Sequence, residues 1–292
     1  MESIRRAMII GPDSDLVGQI RASMSGWQIV RVATNLEAQT AASGSAFDLI
    51  ITGENTSAAT DIDLLRQIRR IRLHTRMIIL ASGSTPEDVI ASLREHAFGC
   101  FTAPFEPTSL AEMIQIAADG ECWDDGIEVI SATPAWVKLA ARCDRRTAER
   151  LLQFFQEMVD LDPPEKEDVA YAFREMLLNA MEHGGHFDPQ QYVEISYLRG
   201  RRAVACRVKD PGAGFSLEEL KHAAVNNPPE DPTRHLLARE EQSLRPGGLG
   251  ILLSQSMVDE LIYSEKGNEV LLVKYLDPDR RASSSANGSS RG

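Results

Sequence analysis

The chain begins by alternating short apolar runs with amphipathic stretches. Segments 7–10, 28–32, 48–51, 77–80 and 99–101 have the length and aliphatic content of strands. Between and after them, segments near 15–24, 36–42, 62–71, 86–96 and 109–118 space their apolar residues as helices do; Ile62, Leu65 and Ile68 share one face of the third. Strands that are apolar almost throughout are buried on both faces, which predicts a parallel sheet covered by helices on each side. Five β–α units in this length predict an α/β, flavodoxin-like doubly wound domain over residues 1–119.

The pattern breaks between 119 and 133, and the second half of the chain has a different grammar. Two long helical segments, about 143–159 and 166–183, are split by Leu161-Asp-Pro-Pro164, which no helix traverses intact. Alternating strands come next, at 192–198 and 203–209, joined by the tight turn Arg199-Gly-Arg-Arg202. Val193, Ile195 and Tyr197 share one face of the first, and Val204, Cys206 and Val208 one face of its neighbour. A polar stretch of about 30 residues then leads to a helix near 249–258. A hairpin, 261–265 and 269–275, closes the pattern through a turn at Lys266-Gly-Asn268. This predicts an α+β sandwich over 120–276, with helices on one face of a mixed sheet. The Ser- and Gly-rich tail, 277–292, reads as disordered.

Composition narrows the function classes. Of 292 residues, 43% are hydrophobic and 25% charged, enough apolar material for two cores. The net charge is −12, with an excess of acid in each half: 14 acidic against 10 basic residues in 1–119, and 29 against 21 in 120–292. That argues against nucleic acid or an anionic membrane as a direct partner of either domain. No apolar run approaches the roughly 18–20 residues of a membrane span, and the start lacks a secretory cleavage pattern. The four cysteines, Cys100, Cys122, Cys143 and Cys206, are scattered without a C-x-x-C pair, as expected of a reducing compartment. A cytoplasmic protein is the expectation.

Three motifs in the second half carry candidate chemistry. Glu175 and Asn179 lie one helical turn apart beside the apolar stripe Val169, Phe173, Met176, Leu177 and Ala180, with His183 a further turn on. A carboxylate and an amide so placed can serve as a base and an oxygen ligand for Mg²⁺, although a solvated helix face has the same pattern. Asp210-Pro-Gly-Ala-Gly-Phe215 comes directly after a strand; its glycines let backbone approach a ligand, and a plain turn would read alike. Arg245-Pro-Gly-Gly-Leu-Gly250 opens a helix, where free N–H groups suit phosphate.

In order and on these elements, the three motifs resemble the ATP-binding domain shared by gyrase, Hsp90, histidine kinases and MutL, which has the Bergerat fold. They are most similar to its anti-sigma-factor serine kinase branch. Phe173-Arg-Glu-Met-Leu-Leu-Asn-Ala-Met-Glu-His-Gly184 matches the N box, and the two glycine motifs match the two glycine boxes. The resemblance spans about 127–276. It implies ATP and Mg²⁺ as cofactors, Glu175 as general base and Asn179 as magnesium ligand. It also implies Asp210 on the adenine amino group with Gly212 and Gly214 shaping that wall, Gly248 and Gly250 along the phosphates, and Arg245 approaching the γ-phosphate. No phosphoacceptor histidine motif lies upstream, which favours serine or water as acceptor.

Residues 5–118 resemble a two-component receiver through Asp48-Leu-Ile-Ile-Thr52, the helix from Ile62 and Phe101-Thr-Ala-Pro-Phe105. That family needs an acidic pair, a phosphoacceptor aspartate, a Thr or Ser, and a lysine. The matching positions are Gly11 and Pro12, Gly53, Ala81 and Ala103, with Asp13, Glu54 and Ser82 each one residue along. No lysine precedes Lys138. The domain reads as a pseudo-receiver that docks a partner, a second copy or the kinase domain.

Together the two resemblances imply a serine/threonine protein kinase of the anti-sigma type, acting on a small anti-anti-sigma-type antagonist protein, with a sigma factor as a further partner. The alternative is a catalytically silent, ATP-gated protein-binding module in which segment 216–246 is a lid.

Overall fold

The computed structural model describes residues 5–12, 14–119, 125–214 and 250–276. The expected lid, Arg245, Gly248, Asp13 and the Ser-rich tail lie outside them. The chain packs as two compact units, Met1–Val129 with Arg145–Asp160, and Ile130–Asp144 with Leu161–Gly292.

The first unit is built on strands β1 (Arg6–Ile10), β2 (Gln28–Val32), β3 (Leu49–Ile51), β4 (Arg76–Ala81) and β5 (Gly99–Thr102). They run parallel in the order β2-β1-β3-β4-β5. This is the order of a flavodoxin-like sheet. Its helices are α1 (Asp15–Ala22), α2 (Asn35–Gly44), α3 (Ala58–Ile71), α4 (Pro86–Arg94) and α5 (Pro107–Asp119). Their starts are chemically marked. Ser14, Thr34 and Ser57 each accept a hydrogen bond from a first-turn N–H, and Thr85 and Asp88 form a reciprocal capping box ahead of Pro86. Every residue of β3 and β4 is buried, as the unbroken apolar runs require.

A further helix belongs to this unit. Helix α6 (Arg145–Met158) packs on α4, β5 and α5. Arg150 donates from Nε to the Phe98 carbonyl at 3.0 Å, from Nη2 to that of Ala97 at 3.2 Å, and from Nη1 to that of Asp125 at 2.5 Å. It also pairs with the Asp125 carboxylate, which His96 Nδ1 meets from the other side at 2.5 Å.

The second unit is a six-stranded sheet in the order β10-β11-β9-β8-β7-β6. Its strands are β6 (Ile127–Thr133), β7 (Trp136–Arg142), β8 (Tyr192–Arg199), β9 (Ala203–Lys209), β10 (Glu260–Tyr263) and β11 (Glu269–Tyr275). Pairs β7–β8, β8–β9, β9–β11 and β10–β11 are all antiparallel, so the described pairing is not the expected mixed sheet. Tight hairpins connect most of the neighbours, and hairpins enforce antiparallel pairing. The β6–β7 hairpin has no counterpart among the expected strands, none of which falls in 120–142.

Register puts Val193, Ile195 and Tyr197 beside Val208 and Cys206. With Val137, Leu139, Val270 and Leu272 these side chains are buried on one face. Helix α7 (Pro163–Asn179) brings Val169, Ala172, Phe173, Met176 and Leu177 to the core. Helix α8 (Gly250–Met257) packs beside α7. The start of α7 is set by Pro163 and Pro164, whose fixed φ suits a first turn where no N–H partner is needed.

Candidate nucleotide site

The site assembles where α7 ends. The α-helix stops at Asn179 and the chain continues as one π-helical turn, Ala180–Gly184, closed by the Gly185 N–H donating to the Ala180 carbonyl. A π turn winds more slowly than an α turn, so His183 leaves the Glu175–Asn179 line that strict α spacing predicts. The next two residues, His186 and Phe187, hold left-handed backbone at φ of 54° and 48°. Such conformations are costly outside glycine and persist where the surroundings fix them. Here the Phe187 N–H donates to Met181, and that of Asp188 to Gly185.

Gly184 at the end of this turn lies directly on Asp210. A methyl group at 184 would overlap the Asp210 side chain, and one at Gly185 would overlap Cys143 Sγ. Gly212 is crowded likewise: its Cβ would stand 3.0 Å from Gly184 Cα and 3.1 Å from the Gly184 carbonyl oxygen. Two backbone segments, 184–185 and 210–212, thus meet around one carboxylate, in a cradle that only glycine permits. The sequence motif identifies the first segment as the end of the N box but assigns it no packing role.

Asp210 is set from both sides. The Gly212 N–H donates to its Oδ1 at 2.7 Å. The Asp210 N–H donates to the Asn268 carbonyl at 3.0 Å, and Asn268 Nδ2 donates back to the Asp210 carbonyl at 3.3 Å. Burial raises the Asp210 carboxyl above its ordinary range, against the Gly212 hydrogen bond. Gly214, at φ +85°, lies against the backbone of Lys266 and Asn268, where any side chain would collide. Asn268 is 8% exposed, and Lys266 Nζ reaches the Gly212 carbonyl at 3.4 Å; the sequence pattern marks both only as turn residues. The β10–β11 turn is therefore the scaffold of the first glycine loop, and its one sequence signal is a Gly-Asn pair.

Glu175 and Gly250 come together as well. The Glu175 carboxylate fills the place a side chain at 250 would take, at the first residue of α8. Burial raises the Glu175 carboxyl, with Arg174 opposing. A raised carboxyl is nearer the range where a base both exists as the anion and accepts a proton usefully. Asn179 is half-buried at the end of α7, one turn beyond Glu175. Among the described residues, no group of three or more His, Cys, Asp or Glu side chains is arranged to hold a metal.

Residues 139–274 match the family of histidine kinase-like ATPase domains. That match takes in most of the second unit and helix α6 of the first. The Anti-sigma F factor of Geobacillus sp. (strain WCH70) is 27% identical over 125 residues, 41% of this chain and 77% of that protein. The nitrate/nitrite response regulator protein NarL of Escherichia coli K12 is 24% identical over 147 residues, half of this chain. The matched part spans 60% of that regulator's length.

Solved receivers are similar too. The CheY-like response regulator receiver domain protein of Methanospirillum hungatei JF-1 is 20% identical, over 39% of this chain and 92% of that one, with a TM-score of 0.35. A LuxR-family two-component response regulator from Aurantimonas sp. SI85-9A1 is 22% identical over 40% and 86%, with a TM-score of 0.34. The first unit has the receiver fold, on its strand order and its curated regulator relative. The family match begins at Leu139, ahead of α6, so this helix is ATPase-domain sequence packed in the receiver-fold unit. No helix of the described residues is long and apolar enough to cross a membrane.

Proposed function

We propose that this chain is an anti-sigma-type serine/threonine protein kinase, binding ATP with Mg²⁺ and phosphorylating an anti-anti-sigma-type antagonist protein in a partner-switching system. The observation that carries the reading is the seat of Glu175, a half-buried carboxylate against the first residue of α8 and one turn from Asn179. Asp210, held by Gly212 and framed by Gly184, is the hydrogen-bond acceptor for the adenine amino group. Asn179 supplies the protein's oxygen ligand, and Mg²⁺ would supply neutralisation of phosphate charge. Glu175 takes the proton from the attacking serine hydroxyl. Gly248 and Arg245, both outside the described residues, complete the phosphate side with Gly250. The Geobacillus relative is named an anti-sigma factor, which supports a sigma factor as a partner.

The receiver fold serves here without phosphorylation. At Gly53, the phosphoacceptor position, a Cβ would stand 3.0 Å from the Ile10 carbonyl oxygen and 3.5 Å from Gly11 Cα. A side chain there would have to push the Ile10 carbonyl back by a few tenths of an ångström. With no lysine in the domain and alanine at 81 and 103, the unit reads as a docking and regulatory pseudo-receiver in a cytoplasmic protein.

Single-turnover transfer from ATP to the cognate antagonist tests the kinase. Glu175→Gln is expected to keep ATP binding and lose transfer. Tight ATP binding by the wild-type protein with no transfer would instead favour the ATP-gated binding module.

A further inference from the structure

The receiver-fold unit is polarised in charge along its strands. All five strands run one way, so each helix that follows a strand starts at the carboxyl end of the sheet and finishes at the other. At the carboxyl end, Asp15, Glu37, Glu87 and Asp88 occupy first turns, and Glu106 accepts from the N–H groups of Thr108 and Ser109 as α5 begins. At the opposite end, Arg21, Arg69, Arg70 and Arg94 occupy last turns, and Arg6 and Arg76 open β1 and β4. Each sign suits the helix dipole beside it. Because these helices all point one way, the local preferences add, and the unit has an acidic end and an arginine end.

The arginine end is crowded. Segment 66–76 holds five arginines, a histidine and no acid. Arg66 is answered by Asp63 and Glu95, and Asp48 accepts from the Arg6 N–H. Arg76 is 7% exposed. Burial first, and then the nearby guanidiniums of Arg146, Arg150 and Arg5, hold it down at about 10, with Asp48 opposing. At this position three guanidiniums act against one carboxylate.

Both ends also present apolar side chains within a charged surround. Leu36, beside Glu37, is 73% exposed, and Ile71 and Leu73, between Arg70 and His74 in the chain, are 46% and 54% exposed. No lysine falls in either stretch of the unit. Protein interfaces are enriched in arginine and depleted of lysine, and the planar guanidinium grips carboxylates through paired hydrogen bonds.

We propose that the receiver-fold unit binds a second copy of itself head to tail, with the arginine end of one copy on the acidic end of the next. One chain carries both halves of this contact: opposite charge, with exposed aliphatic side chains on each side. Like ends repel, so the pairing is heterologous, and each contact leaves a free end of either kind from which a ring or filament grows. The proposal deepens the docking reading of this unit by naming its partner, and it needs neither the nucleotide site nor kinase activity.

Two full-length variants each neutralise one end at exposed or half-buried positions: Arg70→Gln with His74→Gln, and Glu54→Gln with Glu87→Gln. Sedimentation velocity reads self-association, and fluorescence anisotropy of a labelled variant reads its affinity for itself and for the other. The wild type is expected to gain mass with concentration and to lose it with added salt. Each variant should bind itself about 2- to 30-fold more weakly than the wild type does, while the two bind each other at wild-type strength, because each keeps the end the other lacks. A wild type that stays monomeric in low salt, or association that neither variant weakens, would overturn the head-to-tail contact. So would variants as weak towards each other as towards themselves. None of these results bears on the docking reading itself, which phosphorylation of the native unit would refute.

Discussion

Gly184→Ala isolates the cradle with a single methyl group. Gly184 does not hold a left-handed conformation, so alanine suits the backbone and the effect is one of space alone. The added methyl would overlap Asp210 at Cβ, Cγ and Oδ1 together. The Asp210 backbone cannot retreat, since it is bonded in both directions to Asn268. Rotating the carboxylate clears Cγ and Oδ1 but not Cβ, so the backbone at 184 must also draw away; the rotation breaks the hydrogen bond from Gly212 and turns the carboxylate from the place where adenine would meet it. Overpacking of this kind costs about 1–3 kcal/mol of stability. A lost hydrogen bond to a charged group is worth about 1.5–3 kcal/mol, so ATP affinity should fall roughly 10- to 150-fold. Calorimetric titration with ATP and thermal unfolding of the same preparation read both numbers. Wild-type affinity and wild-type Tm in Gly184→Ala would refute the cradle.

Four further substitutions probe other parts of the molecule. Gly53→Asp is expected to leave the protein inert to small-molecule phosphodonors, because the acidic pair and the lysine are still missing, and to lower its Tm slightly, because its Cβ would crowd the Ile10 carbonyl at 3.0 Å; phosphate uptake measured by mass spectrometry would contradict this. Gly18→Ala, in α1 with nothing within 4 Å of its Cβ position, should stabilise by about 0.5–1 kcal/mol in chemical denaturation. Asp61 is fully buried, and the Thr56 hydroxyl beside it has one proton for two acceptors, Asp61 Oδ2 and the Gly53 carbonyl, each at 2.6 Å. Burial raises its carboxyl despite hydrogen bonds from Thr56 and Asn35, so its favourable contribution exists at low pH and is lost as pH rises through the raised value; Asp61→Asn should gain more Tm at pH 7 than at pH 4. Asp125 has the opposite sign. Burial pushes its carboxyl up, but Arg150 and His96 outweigh this and hold it below the usual range, so unfolding scans should show its stabilisation lost only at strongly acid pH, and Asp125→Asn should flatten that limb.

Each unit's architecture is legible in the amino-acid sequence because the deciding signals are local. Unbroken apolar runs in β3 and β4 demand burial on two faces, capping residues such as Ser57 and Thr85 mark helix starts, and Pro163 divides two helices. The residues assigned to nucleotide chemistry are legible for the same reason, since Glu175, Asn179 and Asp210 sit in motifs of fixed spacing. The β6–β7 hairpin escapes such a reading because Ile127–Thr133 is an edge strand whose exposed Ile130 and polar neighbours blur the alternation.

Contacts between distant segments settle the rest. That Gly184 must be glycine depends on Asp210, 26 positions away, and that Asn268 holds Asp210 depends on β11 pairing with β9. No periodicity within α7 announces the π turn that takes His183 off the site's line. The seat of α6 is the clearest case. Its sequence groups it with the ATPase domain, but the unpaired edge of β5, where Gln153 of α6 accepts from the Cys100 N–H, is a feature of the finished sheet. A side chain that satisfies such an edge is chosen by groups more than 50 residues away, where sequence patterns do not reach.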